Sequence, residues 1–246
     1  KGDRTFRNCG RLKVLDTTKI DTSEATQLKT VFQNCSEFTS LDVSTWDTSN
    51  VTDIQFCFNG VSRITTLDLS NWDTSKVVNM FCTFQVVSNL KTLNLTGWDT
   101  SKVTNMAQLF LQARDLKTVL GSIDMLSNLN NSQMFYECYA LQDITLKNIQ
   151  YSLSLSDCRS LSNASMLNIA QELWDKTGHS TQTLTLHANL QSYINSTYVK
   201  LIPITAAMRE QDAYIDNKKP CELCESTDAG AMTIRDYILS KNWAIA

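Results

Sequence analysis

The residues in this chain with the most obvious chemical potential are its eight cysteines, its two histidines and a periodic set of aspartates. Cys221-Glu-Leu-Cys224 follows Asn217-Lys-Lys-Pro220 inside a polar stretch, residues 216–229, that reads as a loop. A C-x-x-C pair supplies two thiolates where a structural zinc ion takes four ligands. His179 and His187 do not complete such a set by spacing, and the βαβ setting of a redox C-x-x-C is missing. The pair therefore reads as a reduced or locally bridged loop, with metal binding as the lesser alternative. Asp21, Asp47, Asp73 and Asp99 recur at a fixed interval. Clustered carboxylates attract hard cations such as calcium. The competing role is capping of helix starts, and their place just before an apolar stripe favours it. Nucleophile elbows, zinc-protease helices, dinucleotide loops and P-loops are not found in the sequence. The expectation is a chain that is not an enzyme and uses no cofactor or metal.

Those aspartates belong to an internal repeat. Leu41 to Ser49 (LDVSTWDTS) recurs as Leu67 to Ser75 and as Leu93 to Ser101, a step of 26 residues each time. A weaker copy starts at Leu15 with Ile20 in the Trp slot, and Phe6 to Cys9 matches Phe32 to Cys35. Further on, Phe135 to Cys138 fits with one residue lost, and Ile144, Leu146, Cys158 and Leu161 make a shortened last copy. Within a unit, Leu67 and Leu69 alternate with Asp68 and Ser70, the period of a strand with one buried face. Val77, Met80, Phe84 and Val87 then follow at spacings of 3, 4 and 3, a helical stripe. The unit is expected to be a strand, an Asp-Thr-Ser turn, and a helix or helical turn. One unit cannot bury its apolar face alone, whereas stacked units can.

The expected fold is an α/β right-handed leucine-rich-repeat solenoid. It has one parallel sheet, helices or helical turns on the other face, and a C-terminal capping segment. Residues 1–161 form the array and residues 162–246 continue and cap it. Trp46, Trp72 and Trp98 become one ladder, and Phe32, Phe58, Phe84 and Phe110 another. In the cap, residues 163–177 read as a helix with Met166, Ile169, Ala170 and Leu173 inward. Leu184 and Leu186 mark a strand, Ile234, Tyr237 and Ile238 a short helix, and Trp243 to Ala246 a last strand; residues 192–204 are ambiguous. Cys9, Cys35, Cys138 and Cys158 share a slot that other copies fill with Val61, Val87 and Ala113, so they read as small core residues. Cys9 and Cys35 would be stacked neighbours within disulfide reach. Cys57 and Cys82 read as packing residues. Seven Gly and two Pro are few for a hairpin-rich fold, and the Asp-Thr-Ser turns are expected to replace them.

The outward strand face carries Asp16, Asp42, Asp68 and Asn94, flanked by Thr66, Thr92, Ser44, Ser70 and Thr96, with Ser40, Thr118 and Thr18 in the same rows. Repeat arrays bind partners on such extended faces, and this strip is the candidate binding site. It is mildly acidic, rich in hydroxyls and without aromatics, which suits a protein partner better than a glycan; a merely solvated face is the alternative. Phe56, Phe81, Val86 and Leu111 fall outside the main stripe, either as an exposed patch or half-covered by the next unit. With 22 basic and 25 acidic residues the net charge is -3, so the basic excess of a nucleic-acid binder is lacking. No apolar run is long enough for a membrane span. The chain opens Lys1-Gly-Asp-Arg4, so it is either intracellular or has lost a leader.

The stretches LDLSNWDTSKVVNMFCTF (67–84) and LNLTGWDTSKVTNM (93–106) resemble the BspA-like leucine-rich repeats of bacterial surface proteins. The match is specific over residues 41–118 and looser over 6–40 and 119–161. Leu161 to Leu186 and Thr233 to Ala246 resemble the helix and strand segments that close such chains. Gly121 and Asp124 depart from the pattern, standing where a strand residue and a Trp are expected. The resemblance implies an extracellular or cell-surface location and adhesion through binding a host or cell-surface protein. Its alternative is a structural spacer in a cell envelope or phage tail, without a dedicated ligand.

Overall fold

The structure is a computed structural model that describes residues 4–176, 179–203, 221–225 and 231–246. It is a mixed α/β chain with mainly parallel sheets and few helices. Strands β1 (Thr66–Asp68), β2 (Thr92–Asn94), β3 (Thr118–Asp124) and β4 (Asp143–Lys147) form a parallel sheet in chain order. Thr66 faces Thr92 and Thr92 faces Thr118, so neighbours across the sheet are 26 residues apart in sequence. The strand expected at Leu41 is not formed; the sheet begins one unit later, at Thr66.

Among the described residues the expected single sheet is three. β5 (Leu153–Leu155), β6 (Gln182–Leu186) and the final β10 (Trp243–Ile245) make a second parallel sheet in the order β10-β6-β5. β7 (Tyr198–Pro203) pairs antiparallel with β8 (Cys221–Glu225) and with β9 (Met232–Thr233). Cys221 and Cys224 thus sit on a strand rather than in the loop expected over 216–229. The rest of that stretch, 216–220 and 226–229, lies outside the described residues. The ambiguous stretch 192–204 resolves into the end of helix α2 (Ala188–Ser196) and β7, and residue 204 lies outside the described residues.

No helix forms over residues 77–87. The chain instead runs through tight turns in which Cys82 and Val86 take left-handed φ values of 55° and 59°. Equivalent left-handed positions recur at Thr30 and Asn34, at Phe56 and Gly60, at Gln108 and Gln112, and at Gln133 and Glu137. A left-handed residue breaks the i to i−4 pattern of a helix. The amides turn outward to the next unit: Phe56, Phe58 and Gly60 donate to the carbonyls of Phe81, Thr83 and Gln85, at 2.9–3.0 Å. The 3-4-3 apolar spacing survives because each turn returns an inward side chain every three or four residues. The scarcity of glycine therefore has a second cause beside the Asp-Thr-Ser turns. Among the described residues, thirteen non-glycine residues with positive φ stand where glycine is ordinarily preferred.

Rows of identical side chains join the units. The Phe row extends beyond expectation, from Phe6 through Phe32, Phe58, Phe84 and Phe110 to Phe135, with centroids 5.6–5.8 Å apart. Trp46, Trp72 and Trp98 stack at 6.2 Å and within 8° of parallel. The indole N–H of Trp98 donates to Leu69 O at 2.8 Å, and that of Trp72 to Val43 O at 3.3 Å. The middle Thr of each Asp-Thr-Ser is buried: Thr48, Thr74 and Thr100 hydroxyls donate to the carbonyls of Asp73, Asp99 and Asp124. Asp99 N–H returns a bond to Thr74 Oγ1 at 2.9 Å.

The lost residue of the fifth unit is absorbed at Gly121. Leu93 still faces Val119, but Asp124 takes the place of Asp99 rather than that of Trp98, because its carbonyl accepts from Thr100 and its carboxylate caps Leu126 N–H. Gly121 has φ +89°, and a Cβ there would lie 2.5 Å from Leu95 O, so only glycine fits the shift.

Helix α1 (Asn163–Glu172) covers the outer edge of β4. Ser165 Oγ, Asn168 Oδ1 and Glu172 Oε2 accept from the amides of Ile144, Leu146 and Asn148 at 3.0–3.1 Å. Residues three and four apart on a helix share a face, so one face of α1 supplies the acceptors that a further strand would have given. Met166, Ile169, Ala170 and Leu173 are buried, as their spacing predicts. Helix α3 (Ile234–Ser240) leads to Lys241, whose ammonium donates to Gln171 O and Leu173 O at the end of α1, and to β10, where Trp243 is buried.

Two substitutions test this packing. Thr74→Val leaves Asp99 C=O and N–H without their partner and is expected to cost about 1–3 kcal/mol in denaturant unfolding; no loss would refute the bridging role. Val86→Asn relieves a β-branched residue of a left-handed conformation that costs roughly 1–2 kcal/mol and that Asn tolerates well. The melting temperature is expected to rise by about 2–4 °C, and a fall would show that Val86 is not strained.

Candidate binding face

Asp16, Asp42, Ser44, Thr66, Asp68 and Thr96 are exposed, and Ser70, Thr92 and Asn94 are half-exposed. The sheet brings Thr66 beside Thr92 and Asp68 beside Asn94, one rung apart. Asp16, Asp42 and Ser44 precede the first strand, so they continue the rows without ladder pairing.

Each acidic residue of the strip is engaged by its own turn. Asp16, Asp42 and Asp68 Oδ1 accept from the amides of Thr18, Ser44 and Ser70 at 2.9–3.0 Å, and Asn94 Oδ1 from Thr96 at 3.1 Å. The second aspartate row behaves alike. Asp21, Asp47, Asp73 and Asp99 accept from the amides of Ser23, Ser49, Ser75 and Ser101 at 2.9–3.0 Å. These are Asx turns, not helix caps, because no helix follows. A third row, Asp53, Asn79, Asn105 and Asn130, repeats the device and is bridged unit to unit. That row and the buried Thr row were missed in the sequence; their signal was recurrence of one polar type per unit. Here Asp53 pairs with Lys29 at 3.1 Å and accepts from Asn79 Nδ2.

The turns set the carboxylate chemistry. Hydrogen bonds from the residue two positions on hold Asp16 and Asp47 (hydroxyl foremost), and Asp21, Asp42, Asp68 and Asp73 (amide foremost), below the usual carboxylate value. Asp21 and Asp73 push Asp47 the other way by like-charge repulsion, a smaller effect. Among the described residues no group of three or more His, Cys, Asp or Glu could hold a metal ion.

The cysteines of the shared slot are packing residues. Cys35, Cys138 and Cys158 are fully buried, and burial pushes the Cys35 thiol up to about 11 and that of Cys158 to about 12. Cys35 Sγ donates to Phe6 O and Cys138 Sγ to Phe110 O. Cys9 is half-buried and, like Cys35, a free thiol. Cys57 is fully buried, and Cys82 Sγ donates to Gln108 Oε1. His187 Nδ1 accepts from Asn189 N–H at the start of α2, and His179 is exposed. Phe56, Phe81 and Val86 are half-covered and Leu111 is buried, with Phe56 and Phe81 meeting edge to face at 5.1 Å. Beside the strip, the β3–β4 irregularity leaves a hollow of about 300 Å³, lined by Leu120, Gly121, Asp143, Thr145 and Asn168.

A family model described as Mycoplasma protein of unknown function, DUF285, matches residues 3–92 and 58–174. The chain belongs to this family. Its matched span runs from the first turns through the rows of Trp, Phe and Asp to the end of helix α1. No curated protein matches the chain. Among the described residues no helix is long and apolar enough to cross a membrane.

A carboxylate whose folded pKa is depressed adds stability above its unfolded value, about 3.9, and loses it as pH falls through the folded pKa. Melting temperature is therefore expected to drop between about pH 4 and pH 2. The triple change of Asp21, Asp47 and Asp73 to Asn keeps each turn acceptor and should flatten that drop. An acid limb as steep as in the parent chain would contradict it.

Proposed function

We propose that this chain is a non-catalytic repeat protein of the BspA-like leucine-rich-repeat type, wound as a right-handed solenoid. It works outside the cell or on its surface and binds a protein partner on the strip from Asp16 to Thr96. The observation that carries this reading is the alignment of equivalent polar residues one rung apart, Thr66 with Thr92 and Asp68 with Asn94, on an exposed sheet face. Repetition makes one weak contact into a row, and a row can meet an extended partner surface. The resemblance of residues 67–106 to adhesin-type repeats supports the location. A second reading, a structural spacer without a ligand, is favoured by a different observation: each strip carboxylate already serves its own turn.

Charge reversal separates the two. Asp42→Lys with Asp68→Lys sits on exposed positions. An adhesin should lose at least tenfold in capture of host extracellular proteins relative to Asp42→Asn with Asp68→Asn, which removes the charges and keeps an acceptor for Ser44 and Ser70. A spacer should be indifferent, and an equal yield of captured protein would sink the binding reading. Fractionation that finds the intact protein only in the cytoplasm would sink the location.

A further inference from the structure

The polar rows of the sheet face do not end at Thr96. Thr66, Thr92 and Thr118 are followed one rung on by Asp143, and the row of Asp68 and Asn94 continues to Leu120. Leu120 is 44% exposed, so an apolar side chain stands in a row that carries aspartates in the earlier units. Beyond Thr118 the two last strands part. Thr118 faces Asp143, but the next facing pair is Ser122 with Thr145, so β3 spends four residues where β4 spends two. The hollow of about 300 Å³ lies where they part. Asp143 and Thr145 of β4 stand between its two walls, Leu120 and Gly121 of β3 on one side and Ala164 and Asn168 of α1 on the other.

The hollow offers acceptors and a negative charge. Of its lining residues only Asp143 is charged, and it is exposed. Among the described residues the Asp143 carboxylate meets no cation, and its hydrogen-bond partner is the Thr118 hydroxyl, which donates at 3.5 Å. Lys117 and Lys147 flank these strands in sequence but do not line the hollow. The Thr145 hydroxyl has no hydrogen-bond partner among the described residues. A carboxylate and two hydroxyls therefore stand beside one exposed leucine. A guanidinium carries five donors in a planar fork that fits a carboxylate with two of them, and its stem is apolar. An anion would be repelled by Asp143, and an apolar group would bury the carboxylate unpaired.

We propose that this hollow receives an arginine side chain of the protein partner and anchors it at the C-terminal end of the strip. The guanidinium pairs with Asp143, the Thr145 hydroxyl accepts a further N–H, and the stem lies on Leu120. The inference rests on the protein-binding reading of the strip and gives that reading a partner chemistry: a basic surface led by one arginine. Arginine seated in a pocket is among the residues that dominate binding at interfaces. The exposed Asp42 and Asp68 earlier in the rows favour the approach of such a surface.

The test is NMR of the isotope-labelled protein titrated with a blocked tripeptide carrying a central arginine, and with its citrulline counterpart, which keeps the shape and loses the charge. The amide signals of Leu120, Gly121 and Thr145 and the side-chain amide of Asn168 should shift saturably with the arginine peptide, and the citrulline peptide should bind at least fivefold more weakly. Asp143→Asn keeps an acceptor for Thr118 and should weaken the arginine peptide at least fivefold; Leu120→Ser should weaken it at least twofold. Unmoved signals at 50 mM peptide, equal binding of the citrulline peptide, or equal binding by Asp143→Asn would overturn the proposal. Shifts spread evenly over Ser44, Ser70 and the hollow would overturn it in favour of diffuse charge attraction. Capture of host proteins reports on the strip separately. If Asp42→Lys with Asp68→Lys abolishes capture while the arginine peptide leaves the hollow unmoved, the anchor fails and the strip reading stands. If the peptide fills the hollow while that variant captures as before, the strip reading fails and the hollow stands.

Discussion

Every backbone amide in a packed chain needs an acceptor, and in the turns here every second one finds it one unit away. Helices satisfy themselves within a segment, whereas the turns of this chain do so across a step of 25 or 26 residues, as between Phe58 and Thr83 or Phe84 and Leu109. That constraint fixes the rest. The amides point along the stack only if the backbone alternates hand, so Phe56, Cys82 and Val86 adopt left-handed φ at a conformational cost. The corners close only if their amides are held locally, so a carboxylate or amide side chain stands two residues before each. The aromatic stacks are a result, since identical residues on adjacent rungs have little room to lie otherwise.

Stabilisation is accordingly distributed. A Phe ring in the row touches the ring before it and the ring after it, with a Trp alongside, as Phe58 meets Phe32, Phe84 and Trp72. Aromatic pairs at such distances contribute about 0.5–1.5 kcal/mol beyond area burial. The buried Thr hydroxyls fasten the opposite corner. Where the repetition ends, side chains replace backbone: α1 offers Ser165, Asn168 and Glu172 to β4, and Asp157 serves Glu137.

The rows were legible in the sequence because a 26-residue period places like upon like: Trp46, Trp72 and Trp98 could be aligned without any structure. The handedness of the turns was not. Val77, Met80, Phe84 and Val87 have the spacing of a helical stripe, and nothing in the identities of Cys82 or Val86 announces positive φ, which usually shows itself as glycine. The aspartates were recognisable as cappers, but what they cap depends on whether a helix follows. On the candidate face the exposure of Asp42 and Asp68 followed from alternation. Their engagement by Ser44 and Ser70 did not, because the strand-to-corner geometry decides it. Pro220 and the charged residues around Cys221 and Cys224 give that segment the composition of a loop, whereas pairing with β7 makes it a strand.

Gly121 gives the array the property of a restored reading frame. One residue is missing from its unit, yet Val119 before it and Asp124 after it both stand in their proper rows. The error is cancelled inside a single strand and does not propagate to Phe135 or Cys138, which rejoin the Phe and Cys rows. A lineage of such chains can therefore gain or lose whole units, or single residues at a glycine-bearing strand, without rewriting what lies downstream.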